Sequence, residues 1–510
     1  MYIKNANKIY IIGIEGAGTS ALACALKAMD KKVSGSDEGD HFYENVLKNK
    51  NIKVYKKIEQ GNIPKNVDLI IYSSAFNSKI NNELKKALNL KIPVLSYAQA
   101  LAEIINQKYS IAVCGTHGKT TTSAWLGFVM KKAGLDPNVI VGAKVPQFKG
   151  NNITGKSKYL VVETDEYQNK LKYYNPKAVL LNNIEYDHPD FFKTEKSYEK
   201  VFIEFIKNIL ANGFLVANFD DPIIKKIVNK NCHAKIISYN VERVTRNAKR
   251  ETQNVERKTQ NNYTAFNIQQ KNGKQYFKVK YMTTGAETVP PPFAVANWGG
   301  TVSAQFCIQL AGKHNIYNAL AVIATCEELG IKTCNIKKYL QQFKGVNRRM
   351  QIMGKFKGAT IIDDYAHHPT EIENTLAAIR LLHKNQKIIA VFQPHTFTRT
   401  KALLDNFAKS FYNANEAIIL DIFGSAREKQ GKVHSKDLVE KIKINNNKLK
   451  IKQNIKYIAT LDKCEKYLRK KVDKKNIVVL MGASDIYKIG KKLLKNNQVS
   501  SFNNQSIIKY

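Results

Sequence analysis

The chain lacks any uninterrupted apolar run approaching the ~18 residues that a bilayer-crossing helix requires, so no membrane partner is expected. Its first residues, Met1 to Ile9, lead almost directly into a strand pattern. They show neither the apolar core nor the cleavage site of a signal peptide, and a cytoplasmic location is expected. The seven cysteines are scattered, with no CxxC pair and no zinc spacing, as suits a reducing compartment. Arginine is scarce and no internal repeat is present. Acidic residues are few, 42 against 81 Lys and Arg, giving a formal net charge of +39. The lysines run along the whole chain and form no basic cluster interleaved with aromatics, so they read as solvated faces and no nucleic-acid partner is expected.

What is present is ordinary in bulk and specific in detail. A hydrophobic content of 44% fits a globular protein, and 510 residues exceed what one core usually organises, so roughly two to four domains are expected. Residues 109 to 122 read Tyr-Ser-Ile-Ala-Val-Cys-Gly-Thr-His-Gly-Lys-Thr-Thr-Thr. An apolar strand, a glycine loop ending in Lys119-Thr120 and a helix-compatible segment from Ser123 form the pattern of a phosphate-binding loop. In such a loop backbone N–H groups and the helix N-terminus hold phosphate oxygens, the lysine pairs with the terminal phosphates, and the hydroxyl ligates Mg²⁺. Val113 stands where the usual first glycine would be, so the loop is shortened. The pattern predicts ATP binding.

Before this loop, strand patterns at Lys8–Ile14, Lys32–Ser36, Asp68–Ser73 and Lys91–Leu95 alternate with helical ones and predict a small parallel α/β domain. Its first turn holds Gly13, Gly16 and Gly18, and Asp37 ends the second strand near where a ribose-binding acid would lie. The glycine order is GxxGxG, which suits any nucleotide or nucleotide-sugar. After the loop, strands are expected at Tyr159–Glu163, Ala178–Asn182 and Phe214–Asn218. The stretch from Val241 to about Phe306 reads as irregular strands and an insertion, with a loop at Pro290-Pro291-Pro292. A helix is expected from Gly312 to Leu329. A third block has strands at Ala359–Asp363, Lys387–Phe392, Glu416–Leu420 and Asn476–Met481, and the tail after Leu494 is expected to be poorly ordered.

Several strand ends carry chemistry. Glu163-Thr164-Asp165-Glu166 follows one strand, and Asp187-His188 lies beyond the next. Each fits a metal ligand set beside a phosphate loop, or else a solvated turn and a helix cap. Asn315 and Asn318, one helical turn apart, can read an adenine edge or simply cap a helix. Arg348-Arg349 sits where a closing domain could bring a cation to a transferring phosphoryl group. Asp363-Asp364-Tyr365-Ala366-His367-His368 and Gln393-Pro394-His395-Thr396-Phe397-Thr398-Arg399 end two strands expected to be adjacent and parallel. His and Arg there suit an anionic small molecule; zinc held by the histidines is a minor alternative.

Together these motifs resemble the Mur ligases of peptidoglycan synthesis over essentially the whole chain, least across 240–305 and the tail. The resemblance implies an α/β protein of three domains. These are a Rossmann-like UDP-sugar domain at 1–108, a central P-loop ATPase domain at 109–344 with a variable insertion, and a Rossmann-like amino-acid domain at 345–510. It implies that ATP phosphorylates the muramyl carboxylate of UDP-N-acetylmuramate and that an amine then attacks the acyl phosphate. The amine expected is L-alanine; the alternative is the tripeptide of muropeptide recycling. ATP and Mg²⁺ are the implied cofactors, and a monomer or weak homodimer is expected.

By position, the resemblance implies that Gly115, Thr116, Gly118, Lys119, Thr120 and Thr121 hold ATP with Asn315, Asn318, Arg349 and Asp364. Thr120, Glu163 and His188 would serve the metal, and Lys119, Glu163, His188 and Arg349 the catalysis. Gly13, Gly16, Gly18, Asp37, Ser73, Ser74 and His117 would bind the UDP-sugar, and Tyr365, His367, His395 and Arg399 the amino acid. Three positions depart from the family pattern. Glu15 replaces a glycine of the first turn. Thr396 stands where an arginine is usual. Ile203 stands where other branches carry a carbamylated lysine, with Lys200 out of register.

Overall fold

The computed structural model describes residues 2–38, 43–76, 81–242, 259–283, 302–424, 428 and 430–495. The triple-proline loop and the tail after residue 495 lie outside them. Among the described residues the strands fall into three sheets. The first is built from β1 (Lys8–Ile12), β2 (Lys32–Ser36), β3 (Lys53–Tyr55), β4 (Leu69–Tyr72) and β5 (Val94–Ser96), all parallel in the order β3-β2-β1-β4-β5. The run Ile-Tyr-Ile-Ile of β1 is buried on both faces, as parallel strands covered by helices require.

The second sheet centres on β6 (Tyr109–Cys114). It also takes in β7 (Asn138–Val145), β8 (Gly150–Ile153), β9 (Tyr159–Glu163), β10 (Ala178–Leu181), β11 (Phe214–Asn218), β12 (Lys235–Val241), β13 (Thr259–Lys271), β14 (Lys274–Thr283) and β15 (Val302–Ile308). β6 pairs in parallel with β9 on one side and β10 on the other. The ends of both neighbours therefore open beside the loop that follows β6. The region expected to be irregular instead extends this sheet. β13, β14 and β15 form an antiparallel ribbon paired in parallel onto β12 through β13.

The third sheet has the order β16-β17-β21-β18-β19-β20, from β16 (Gln351–Phe356), β17 (Ala359–Asp364), β18 (Lys387–Phe392), β19 (Glu416–Ile419), β20 (Asn454–Tyr457) and β21 (Asn476–Met481). β17 and β18 are not adjacent, as the sequence suggested, because β21 inserts between them and pairs with both. Their C-terminal loops still open on the same edge.

Four helices matter for the site: α1 (Ala17–Ala28), α2 (Lys119–Lys132), α3 (Lys313–Glu328) and α4 (Pro369–Leu382). α2 is buried from Thr120 to Met130, and its Trp125 indole donates to Leu340 O at 3.1 Å while stacking on Phe343. One apolar core runs from Ile3 through α1 into Ile140, Leu160 and Ile236, so the first and second sheets share it. The cores of the third sheet, around Phe392 and Val478, recruit residues only from Met350 onward.

Candidate active site

The loop between β6 and α2 turns on two glycines. Gly118, in the left-handed region at φ 79°, is the N-cap of α2, and a Cβ there would lie 2.6 Å from Asn318 Oδ1. Gly115, at φ 124°, leaves no room before Asn183 O, 2.8 Å from such a Cβ. Only glycine lets the loop sit this close to the asparagines of β10's end and of α3. Lys119 Nζ donates to Gly115 O at 2.5 Å, Thr116 O at 3.0 Å and Glu166 at 3.1 Å, folded back over its own loop. Burial alone would lower its pKa, but Glu166, Asp165 and Glu163 outweigh that and raise it, so the ammonium stays charged.

Thr120 Oγ1 donates to Glu163 Oε1 at 2.7 Å, and Glu163 Oε2 accepts the Gly142 N–H at 2.6 Å. A hydroxyl and a carboxylate are thus in contact at the strand end beside the phosphate loop, and hard oxygen donors suit Mg²⁺. His188, at φ 57°, lies across the site. Its Nε2 is 3.7 Å from Glu166 and 3.7 Å from Asp187. Ligand atoms of Asp165, Glu166 and His188 lie within 4.8 Å of one another, a second set of metal-competent donors. Lys170 contacts Asp165 at 2.7 Å and, together with His188 and Lys119, holds its half-exposed carboxyl well below the usual range against the desolvation of the site.

Two cavities meet at this loop. One, of about 630 Å³, is lined by Thr121, Asn315, Asn318 and Asp364 among others. The other, of about 560 Å³, reaches Gly16, Gly18, Ser73 and Ser74 of the first sheet's turns and Tyr365 and His367 of the third block. Gly118, Thr120, Asn347, Arg349 and Glu371 line both. Asn318 Nδ2 donates to Asn315 Oδ1 at 3.1 Å, and Thr122 Oγ1 donates to Asn318 Oδ1 at 3.1 Å, tying α3 to α2. Burial pushes the Asp364 carboxyl up to about 6 against the pull of Arg349. Arg349 contacts Glu371 at 3.4 Å over the Tyr365 ring, while Arg348 is engaged with Asp363 and the carbonyls of Gly482 and Ser484.

Several expected roles are placed differently. His117 lines the first cavity and not the one facing the glycine turn of the first sheet. Its ring lies between Glu185 at 3.0 Å and Glu371 at 3.3 Å and packs on His368. Burial opposes its charge, but the two carboxylates raise its pKa to about 9. Asp37 does not line the second cavity. It accepts the N–H groups of Glu15 and Glu38 and so holds the glycine turn in shape, while Glu15 turns to Lys56 at 2.8 Å. Gly13, at φ 76°, packs under Ser73 and Phe76 and not on the cavity wall. Arg399 and His395 also lie off both cavity walls. The Arg399 guanidinium pairs with the buried Asp187 through Nε–Oδ1 at 2.7 Å and Nη2–Oδ2 at 3.2 Å. His395 stacks on Phe423 behind His367. Burial lowers the pKa of His367 to about 4, so its imidazole is neutral. Lys200, out of register in sequence, is exposed and faces Glu204.

Sequence reasoning missed Glu185, Glu371 and Tyr198 as members of the site, and placed Glu166 only within an acidic run, without a role of its own. Tyr198 OH contacts Thr116 Oγ1 at 2.8 Å and donates to Glu166 at 3.0 Å, beneath the phosphate loop. Glu166 stands inside one motif, and Glu185 and Glu371 stand just beside Asp187-His188 and Asp363–His368, so proximity in sequence was a usable signal. Tyr198 carried none.

Comparison with known proteins accounts for this arrangement. Three family descriptions match in succession: Mur ligase family, catalytic domain, at 8–109; Mur ligase middle domain at 113–326; and Mur ligase, glutamate ligase domain, at 348–484. The UDP-N-acetylmuramate–L-alanine ligase of Acetivibrio thermocellus is 36% identical over 494 residues, 96% of each chain. That of Desulfitobacterium hafniense is 35% identical over 489 residues, 95% of this chain and 99% of the relative. Among solved structures, a UDP-N-acetylmuramate-alanine ligase from Thermotoga maritima superposes with a TM-score of 0.75 at 24% identity, covering 97% of this chain and all (100%) of the other. A murein peptide ligase from Psychrobacter arcticus gives 0.69 at 21% identity with the same coverage, 97% and 100%. With a shared fold, full-length identity above a third and three domain matches in order, the chain belongs to the Mur ligase family.

Proposed function

We propose that this chain joins L-alanine to the muramyl carboxylate of UDP-N-acetylmuramate, with ATP converted to ADP and phosphate. The observation that carries this reading is the pair of cavities meeting at Gly118 and Thr120, with Arg349 on both walls and Lys119 on the wall of the second. ATP in the first cavity, read by Asn315 and Asn318, would point its γ-phosphoryl group at the junction. The UDP-sugar, seated against Gly16, Gly18, Ser73 and Ser74, would bring its carboxylate to the same point from the second. A carboxylate oxygen attacks the γ-phosphorus, ADP leaves, and an acyl phosphate forms. The alanine nitrogen then attacks the acyl carbon, phosphate departs, and the nitrogen loses a proton.

Lys119 and Arg349 neutralise charge on the transferring group, and the closed junction aligns the reactants. Mg²⁺, held by Thr120 and Glu163 with His188 nearby, would neutralise the phosphates further. His367, its imidazole neutral, and the Tyr365 ring lie on the side where the amine would arrive. We place the domain limits at 1–108, 109–344 and 345–510, and the enzyme acts as a monomer or weak homodimer in the cytoplasm. Among the described residues no helix is long and apolar enough to cross a membrane.

Phosphate release with UDP-N-acetylmuramate and ATP tests the reading by comparing alanine, serine, glycine and the tripeptide L-Ala-D-Glu-diaminopimelate as amines. Alanine should give the highest kcat/KM. Preference for the tripeptide would assign the chain to recycling instead.

A further inference from the structure

We infer that the β13–β14 hairpin is a functional wall of the nucleotide cavity, with Gln275 a positioning residue for helix α3 and Lys274 a cation at the cavity rim. The inference rests on reading that cavity as the ATP site. The hairpin turns on Asn272 and Gly273, at φ 51° and 71°, and Lys271 pairs directly with Lys274. Asn-Gly with both residues left-handed is the favoured two-residue hairpin turn, so the tip has a defined shape. That tip, Asn272-Gly273-Lys274, lines the same cavity as Asn315 and Asn318.

Gln275 fixes how the tip meets α3. Its side chain is 3% exposed, and its amide nitrogen donates to Leu310 O at 2.6 Å and Gly312 O at 3.0 Å. Those carbonyls flank Ala311, whose own carbonyl accepts from Asn315 Nδ2 at 2.7 Å. Asn315 in turn accepts from Asn318, and Asn318 accepts from Thr122 of α2. A chain of amides thus runs from the hairpin, through the start of the base-reading helix, to the helix that follows the phosphate loop. Removing the Gln275 donor takes a hydrogen bond from the part-buried Leu310 carbonyl and from the buried Gly312 carbonyl, and frees the α3 start to shift. Lys274, exposed at the tip, joins Lys313 and Lys344 around the cavity and favours a polyanionic nucleotide.

Calorimetric titration with Mg²⁺ and ADP, together with steady-state kinetics, tests this on the full chain. Gln275→Met keeps the side-chain volume but cannot donate. It should weaken ADP binding and raise the ATP KM about tenfold, while the UDP-N-acetylmuramate KM stays within about twofold. Gln275→Glu, which as a carboxylate cannot donate and as a neutral acid offers one donor for the two carbonyls, should restore binding only in part. Lys274→Ala, at an exposed turn, should weaken ADP about threefold and flatten the salt dependence of binding. A folded Gln275→Met with an unchanged KM ratio, or an unchanged ADP affinity in Lys274→Ala, overturns the inference. If Gln275→Met does not fold, Lys274→Ala alone decides. Failure of the wild type to bind ADP would instead remove the ATP-site reading on which the inference stands.

Discussion

Replacing Arg399 by alanine separates two accounts of that residue. The resemblance gives it the amino-acid carboxylate. The geometry gives it Asp187, through two hydrogen bonds of 2.7 and 3.2 Å between side chains only 5% and 6% exposed. Removing one partner of such a pair strands a buried charge, at a cost of about 3–5 kcal/mol. Asp187 belongs to the second block and Arg399 to the third, so that cost falls on the assembled arrangement of the two. If only ~3 kcal/mol of it reaches the transition state, kcat/KM falls by roughly 150-fold. Asp187→Asn should be similarly damaging. The double variant Asp187→Asn/Arg399→Ala should be less impaired than the sum of the two, with a coupling of at least ~1.5 kcal/mol. The assay is kcat/KM for all four forms, with the KM for alanine and for ATP measured separately. An Arg399 acting only on the alanine carboxylate would raise the alanine KM alone, whatever stands at position 187. Additivity within ~0.5 kcal/mol, with the effect confined to the alanine KM, would refute the ion-pair account.

Lys119→Ala should abolish turnover while leaving unfolding cooperative, because its charge is needed as the phosphates develop theirs; a loss of tenfold or less, ~1.4 kcal/mol of barrier, would contradict the phosphate-loop assignment. Tyr198→Phe removes the hydroxyl that joins Thr116 to Glu166, and kcat should drop about tenfold, near the ~1.4 kcal/mol of one or two lost hydrogen bonds, with KM values little changed. His117 has a folded pKa raised to about 9, so the stability it contributes is complete below its ordinary value of ~6.5 and is lost as pH rises through 9. The Tm gap between wild type and His117→Gln should therefore be widest near pH 6 and closed by about pH 10; a gap independent of pH would show that the ring acts through packing alone.

The parts of the molecule that could be read beforehand are those where a local pattern has one meaning. Strands β9, β11, β18 and β21 have the bounds their apolar runs announce, and the strand–glycine–helix pattern located the phosphate loop. Spatial order was another matter. Nothing in chain order says that β21, the last strand among the described residues, inserts between β17 and β18. The Asn272-Gly273 pair was a legible hairpin signal, but the mixed polar content of its flanking strands hid an antiparallel ribbon, bulged between Phe266 and Gln269, behind an irregular pattern. Side-chain direction was the hardest to foresee. The motif around His117 specifies its backbone, yet its ring goes to Glu185 and Glu371, 68 and 254 residues away in sequence. Arg399 meets Asp187 across 212 residues, a pairing no local spacing encodes.

The two seams between the three sheets are made of different material. The first is oil-like, with Leu26, Ile105, Ile140 and Leu160 in one continuous core. Parting it would wet a large apolar surface, and that surface would have to be dried again in every cycle. The second carries ion pairs and hydroxyl contacts, among them Arg399–Asp187, Thr370–Glu185 and His117–Glu371, and among the described residues the second sheet's core reaches no further than Val346, ahead of the third sheet's strands. Groups of that kind exchange each other for water and back again, and polar seams of this sort leave domains free to move. Separating the third block would therefore wet far less apolar surface than separating the first two, and its cost would fall on the ion pairs instead.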